Sequence, residues 1–247
     1  MQAKKQYGQH FLKDQQVLAD ILKAIAPEVS DRMIEIGPGL GAMTKILLPF
    51  LKELTAIEID KDCIAKLSTL ENLAIIHEDV LNFNWQDLSH KTRVVGNLPY
   101  NIATEIFFLC LSSENISDMH FMMQAEVAQR LIAQPSTKAY GRLTVMMQMQ
   151  ADVDLLFNIP PQAFRPEPKV MSSFCRILPN NDTWFKDNQK LIYQVVTAAF
   201  SRRRKQCHHN LKRWFTKSDL EYVGILPEFR AENITVNQYK KLVQSIA

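Results

Sequence analysis

Met33-Ile34-Glu35-Ile36-Gly37-Pro38-Gly39-Leu40-Gly41 sets an apolar, strand-like run directly before a glycine-rich turn, and an amphipathic stretch over 42–51 follows it. Lacking side chains, Gly37 and Gly39 let the backbone approach a ligand closely, and a helix opening near Ala42 points its N–H groups the same way. Strand, glycine turn and helix in that order suit a nucleotide or nucleoside. The turn alone serves a purely structural bend equally well.

Outward from this stretch, short apolar segments at 54–59, 73–76, 94–95 and 119–123 alternate with helical patterns such as 104–111. That rhythm predicts an α/β fold with a parallel sheet covered on both faces. Ligands in such sheets bind at the carboxyl ends of the strands. Gly37, Glu58, Asp79 and Asn97 all fall at those ends, so four separated positions converge on one crevice.

Each position has its own chemistry. Glu58 can accept both hydroxyls of a ribose, which fits NAD and S-adenosylmethionine alike. Asp79 either accepts from an adenine amino group or caps a helix. Asn97-Leu98-Pro99-Tyr100, read by itself, is a turn closing a strand. At the rim of a crevice it acquires another meaning. The lone pair of a nucleobase amine is delocalised into the ring, and amide and backbone oxygens accepting its N–H bonds would localise that pair. Tyr100 would then stack on the extruded base.

Past residue 140 the pattern becomes a helix, an extended stretch at 153–159, a proline-rich segment at 160–168 and a strand at 171–177, which predicts a closing antiparallel hairpin. Residues 179–182 read as a linker, and 185–247 has helical spacing with one glycine. The expected domains are therefore 1–178 and 179–247, the second small and helical.

The net charge of +3 hides an asymmetry, because no Asp or Glu occurs between Asn188 and Ser218. That window holds eight basic residues, among them Arg202, Arg203, Arg204, Lys205 and Lys212, and the rest of the chain carries 21 basic against 26 acidic residues. A localised basic segment on an acidic body is the footprint of a phosphate-backbone partner. If the helix suggested by 195–200 continues through it, Cys207, Leu211 and Trp214 share one face, with Arg204, His208 and Lys212 on the next.

The four cysteines are dispersed, and Cys207-His208-His209 lacks further ligands at useful spacing, so no metal site is expected. No apolar run has the length of a membrane span and residues 1–5 lack the apolar stretch of a signal peptide; cytoplasmic residence is the expectation.

Four motifs together resemble the ribosomal RNA adenine N6,N6-dimethyltransferase family: Tyr7-Gly8-Gln9-His10-Phe11-Leu12, Glu35-Ile36-Gly37-Pro38-Gly39-Leu40-Gly41, Asn97-Leu98-Pro99-Tyr100 and Phe164-Arg165-Pro166-Glu167-Pro168-Lys169-Val170. The resemblance runs through most of the chain. It implies a Rossmann-like S-adenosylmethionine-dependent methyltransferase domain, a helical C-terminal RNA-binding domain, and methyl transfer to N6 of adenosines in small-subunit (16S) rRNA. The expected partner is rRNA within an assembling 30S particle, met by a monomeric enzyme. By position, His10, Leu12, Gly37 and Gly39 would contact the cofactor, with Glu58 on its ribose, Asp79 on its adenine and Asn97 beside the reactive methyl. Asn97 and the Leu98 carbonyl would hold the target amine, and Tyr100 and Phe164 would sandwich the adenine. His208 and His209 stand where Arg and Asn often occur in the family, which ties RNA affinity more closely to pH.

Three other functions compete. A nicotinamide-dependent oxidoreductase explains Gly37 and Glu58 but leaves Asn97 to Tyr100 and the basic segment without a role. A noncatalytic ribosome-assembly factor requires no chemistry at Asn97, and a related methyltransferase acting on large-subunit rRNA keeps the chemistry and changes the target.

Overall fold

The computed structural model describes residues 9–180 and 182–246; Tyr7 and Gly8 of the N-terminal motif lie outside them. Its contacts divide the chain into two units, one of residues 9–128 with 154–179, the other of 129–153 with 180–246.

The first unit begins with β1 (Phe11–Leu12) and α1 (Gln15–Ile25). Asp14 caps α1 by accepting from the N–H groups of Gln16 and Val17, and Leu18, Ile21 and Ile25 form its buried stripe. β2 (Met33–Ile36), α2 (Ala42–Leu47), β3 (Leu54–Glu58), α3 (Lys61–Leu67) and β4 (Leu73–His77) follow. Next come β5 (Thr92–Asn97), α4 (Ala103–Leu111), β6 (Ile116–Gln124) and α5 (Ala125–Leu131). Beyond α6 (Arg142–Gln148) come β7 (Ala151–Ile159), β8 (Phe164–Arg165) and β9 (Ser172–Pro179).

Seven strands form one sheet in the order β4-β3-β2-β5-β6-β9-β7. β2 pairs in parallel with β3 and with β5, β3 with β4, and β5 with β6, while β9 runs antiparallel to β6. All four residues of β2 are buried, as a central strand covered on both faces requires. The chain leaves β2 first toward β3 and β4 and later returns to its other side as β5. The strand order therefore reverses between β2 and β5, and a crevice opens at that switch point. Asn97 is the last residue of β5, paired with Met122. The expected hairpin is present: Asn158 meets Ser173 and Asp154 meets Arg176, a pairing whose numbers rise in one strand as they fall in the other.

A two-stranded pairing that the sequence pattern did not announce joins β1 to β8, with Phe11 opposite Arg165 and Leu12 opposite Phe164. It places Phe164 in the core beside Leu12, Met122, Ile159 and Phe174.

The second unit contains α6, α7 (Thr183–Phe200), α8 (Cys207–Leu211), α9 (Lys217–Tyr222) and α10 (Val236–Gln244). Its buried residues include Ile192, Val195, Val196 and Ala199 of α7 and Leu242 and Val243 of α10. The expected boundary at 178/179 assigned residues 129–153 to the first domain, yet their polar contacts run to the second unit. The Tyr140 hydroxyl donates to the Ile234 carbonyl at 2.8 Å, and the Ser136 N–H to that of Glu232 at 2.7 Å.

The basic segment does not continue α7. The helix ends at Phe200, residues 201–205 turn, and α8 is a new short helix whose Cys207 N–H donates to the Phe229 carbonyl at 2.8 Å. Phe215 rather than Trp214 consequently joins Cys207 and Leu211 inside.

Candidate active site

The carboxyl ends of β2 to β5, with the start of the chain's described part, enclose a crevice of about 300 Å³. His10, Leu12, Gly37, Gly39, Glu58, Asp79, Asn97, Leu98 and Tyr100 all line it. Phe164 does not. It is 0% exposed, packed into the core opposite Leu12 across the β1–β8 pairing.

Gly37 and Gly39 have φ of +62° and +57°, a region that side-chain-bearing residues avoid. A Cβ on Gly37 would meet no protein atom within 4 Å, so that space belongs to the crevice, whereas one on Gly39 would lie 3.1 Å from Phe11 Cε1. The turn is locked to the next strand. The Gly39 N–H donates to Glu58 Oε2 at 3.0 Å, while Ile59 and Asp60 donate to Oε1 at 3.0 and 2.9 Å. Burial raises the Glu58 pKa and these three bonds pull it back, with a net rise. Oε2 carries one such bond and retains capacity to accept from a hydroxyl. Asp79 uses Oδ1 to accept from the Leu81 N–H at 3.0 Å, a turn-capping bond that leaves its other oxygen as an acceptor.

Asn97 Nδ2 donates to the His10 carbonyl at 2.9 Å. A carbonyl only accepts, so the atom facing His10 must be the amide nitrogen. The other arm of the amide is Oδ1, an acceptor at the strand end. Beside it, the His10 and Tyr100 rings face one another with centroids 5.8 Å apart and planes 23° off parallel. His10 Nδ1–H donates to the Pro166 carbonyl at 2.8 Å, and the Tyr100 hydroxyl shares a 2.9 Å bond with Ser172 Oγ. Arg165-Pro166 is a cis peptide.

Sequence reasoning passed over Glu35. It sits inside an otherwise apolar strand, is 2% exposed, and accepts from Thr44 Oγ1 at 2.7 Å. Burial, aided by the charge of Glu58 and opposed by the Thr44 bond, pushes its pKa up to about 7. A carboxylate in the middle of a wholly buried strand was the available signal.

Glu35, Glu58, Glu78 and Asp79 all line the crevice, and no Lys or Arg joins them among its described lining residues. Such a field suits a ligand carrying positive charge and a ribose, as S-adenosylmethionine does with its sulfonium and ammonium. It opposes the pyrophosphate of a dinucleotide. The residues present therefore fit the methyl donor better than they fit NAD.

The ribosomal RNA adenine dimethylase family model matches residues 1–247. The chain belongs to that family. It is accordingly an rRNA adenine dimethyltransferase. A ribosomal RNA small subunit methyltransferase A of Methylobacillus flagellatus is 45% identical to this family member over 94% of the chain and 93% of its own length. One of Nitrosospira multiformis is 42% identical over 96% and 93%. Among solved structures, a dimethyladenosine transferase from Plasmodium falciparum superposes with a TM-score of 0.83 at 26% identity, covering 96% of this chain and 97% of that one. The 23S rRNA methyltransferase ErmE, at 24% identity and a TM-score of 0.74 over 95% and 98%, shares the fold.

Within the second unit of this dimethylase, Arg202, Arg203, Arg204, Lys205 and Lys212 are all exposed. Arg203 is already engaged: its Nε lies 2.5 Å from Glu232 Oε2 and its Nη2 donates to the Lys138 carbonyl at 2.8 Å. The His208 and His209 rings lie 3.9 Å apart. Loss of hydration lowers the His209 pKa, reinforced by the charges of His208, Lys205, Lys217 and Lys212. Among the described residues no helix is long and apolar enough to cross a membrane.

Proposed function

We propose that this chain transfers methyl groups from S-adenosylmethionine to N6 of adenosines in small-subunit (16S) rRNA. Two adjacent adenosines would be dimethylated within an assembling 30S particle, by a monomeric enzyme in the cytoplasm. The observation that carries the reading is the orientation of Asn97, whose nitrogen is tied to the His10 carbonyl and whose Oδ1 is thereby left as an acceptor at the crevice.

The donor supplies an electrophilic methyl on sulfur. What the chain must supply is position and acceptors, because displacement at a methyl is governed by alignment. Asn97 Oδ1 and the Leu98 carbonyl would accept the two N–H bonds of the target amine, drawing its lone pair out of the ring, and they would stabilise the cation formed as nitrogen gains carbon. Its proton then leaves to solvent. Leu98 is held for this by its N–H, which donates to the Met122 carbonyl at 3.0 Å. Glu58 and Asp79 would receive the ribose and adenine of the donor, with Gly37 and Gly39 leaving room beside them and His10 and Leu12 closing the crevice. Arg202, Arg204, Lys205 and Lys212 would meet RNA phosphates, with Arg203 contributing charge from its tethered position.

The names of the curated relatives support the small subunit as target. The test is to incubate purified protein and labelled S-adenosylmethionine with 30S particles and 50S precursors lacking the modification, and to map the modified bases. Label on N6 of small-subunit adenosines is expected, with Asn97→Ala losing it while still binding donor. Label confined to large-subunit RNA, or full activity of Asn97→Ala, overturns the reading.

A further inference from the structure

The break after Phe200 decides which aromatic side chain is buried beyond α8. Phe215 is 4% exposed inside the second unit, and Trp214 is left partly exposed at its surface. We propose that Trp214, with Arg213 against its ring, stacks on an unpaired base of rRNA, so that the second unit grips RNA by a base as well as by phosphates; this rests on the dimethyltransferase reading above.

The local backbone explains why neighbouring aromatic residues part company. The N–H groups of Trp214 and Phe215 both donate to the carbonyl of buried Leu211, at 2.9 and 3.1 Å, which continues α8 as one further turn. Successive residues on such a turn point about 100° apart, so seating Phe215 in the core directs Trp214 away from it.

A partly exposed Trp is by itself ordinary surface. What distinguishes this one is its company. The Arg213 guanidinium carbon lies over the indole, 5.3 Å from the ring centroid, in cation–π contact. Lys212, Arg213 and Lys217, which flank the ring in the chain, are all exposed, and the charges of Lys205, Lys212 and Lys217 all act on His209, so these lysines share one neighbourhood. The next carboxylate along the chain, Asp219, is turned onto the start of its own helix, where Oδ2 accepts from the Thr216 N–H and hydroxyl at 2.7 Å each.

Each part of this arrangement has a task on single-stranded RNA. Lysines fix the backbone without reading the bases. An indole or guanidinium plane offers a flat face to a base, and only a base free of a regular duplex can take it. The contact therefore selects a loop, bulge or strand end, a distinction that phosphate contacts alone do not make.

Filter binding of the full-length protein to unmethylated 30S particles and to protein-free 16S rRNA, over a range of salt concentrations, tests the assignment. Trp214→Leu is expected to weaken both complexes roughly five- to 150-fold, the range for loss of one base-stacking side chain. It should leave the salt slope unchanged, since no phosphate contact is lost. Lys212→Ala should instead lower that slope by about one. Trp214→Phe should retain most of the affinity, and Trp214→Gln should repeat the loss, which keeps the test valid if the leucine variant folds poorly. Wild-type affinity of Trp214→Leu or Trp214→Gln, a salt slope that falls by one in either, or a loss in Trp214→Phe as large as in Trp214→Leu would overturn the stack. A loss seen with particles and absent with protein-free rRNA would assign the ring to a ribosomal protein and overturn it as well. A wild-type protein that binds donor and labels no rRNA would instead overturn the dimethyltransferase reading beneath it.

Discussion

Replacing Glu35 by Gln should stabilise the protein, and only above acidic pH. In the folded chain burial lifts this carboxyl from an ordinary 4.5 to about 7. Below 4.5 both folded and unfolded chains hold the proton, and burial of a neutral acid costs little. As pH rises the unfolded chain releases its proton first, so stability falls until the folded carboxyl ionises near 7 and is flat above that. At 1.36 kcal/mol per decade the loss reaches about 3 kcal/mol. Glutamine keeps an oxygen to accept the Thr44 hydroxyl, which lies 2.7 Å from Oε2. An amide hydrogen left unpaired would subtract roughly 1–3 kcal/mol, but equally at every pH. The diagnostic is therefore the slope: in urea unfolding from pH 4.5 to 8.5, the variant's advantage should grow by about 3 kcal/mol between the ends. Parallel stability curves for the two proteins would refute a buried, proton-holding Glu35.

Gly37→Ala should fold, at a cost of about 1–2 kcal/mol for its left-handed backbone, because its Cβ meets nothing within 4 Å; calorimetry should nevertheless find donor binding weakened at least tenfold as the methyl enters ligand space. Gly39→Ala adds a 3.1 Å approach to Phe11 and should melt lower than Gly37→Ala. Arg204→Ala should weaken rRNA binding and reduce the salt slope by about one, whereas Arg203→Ala should change that slope less, because its guanidinium is tethered to Glu232, and should cost under about 1 kcal/mol of stability through that half-exposed pair; filter binding at several salt concentrations compares the two slopes. Loss of hydration, reinforced by the charges of His208, Lys205, Lys217 and Lys212, holds the His209 pKa below its ordinary value, so the ring gains charge only as pH falls. Affinity for rRNA should tighten with acidification at fixed ionic strength, and His209→Gln should flatten that rise.

The sheet was legible because parallel strands covered on both faces leave short apolar runs, and the residues just past them must lie at one edge. Gly37, Glu58, Asp79 and Asn97 could be grouped on that rule alone. β1 and β8 could not be read, since two-residue strands carry no periodicity, and their pairing is decided by packing between distant parts of the chain. The burial of Phe164 could not be read for the same reason: it follows from the pairing with Leu12. The break after Phe200 was masked because apolar spacing at Cys207 and Leu211 looks the same whether one helix or two carry it. Residues 129–153 follow the second unit through single contacts such as Tyr140 to Ile234, which composition does not reveal.

The separation of charge in the chain gives the two units different tasks at the level of electrostatics. Glu58, Glu78 and Asp79, joined by Glu35 only as it ionises near pH 7, without a lining Lys or Arg make the crevice a poor place for a phosphate, while exposed Arg202, Arg204, Lys205 and Lys212 make the second unit a good one. On the proposed reading, RNA held by its backbone would not follow that backbone into the crevice, and a neutral base would leave the stack and enter alone. Inside, the same negative field that rejects phosphate favours a sulfonium and the cation forming on the amine. On the proposed reading a single charge distribution would serve donor binding, exclusion of the backbone and the transfer itself, leaving Asn97 to decide which atom of the base is presented.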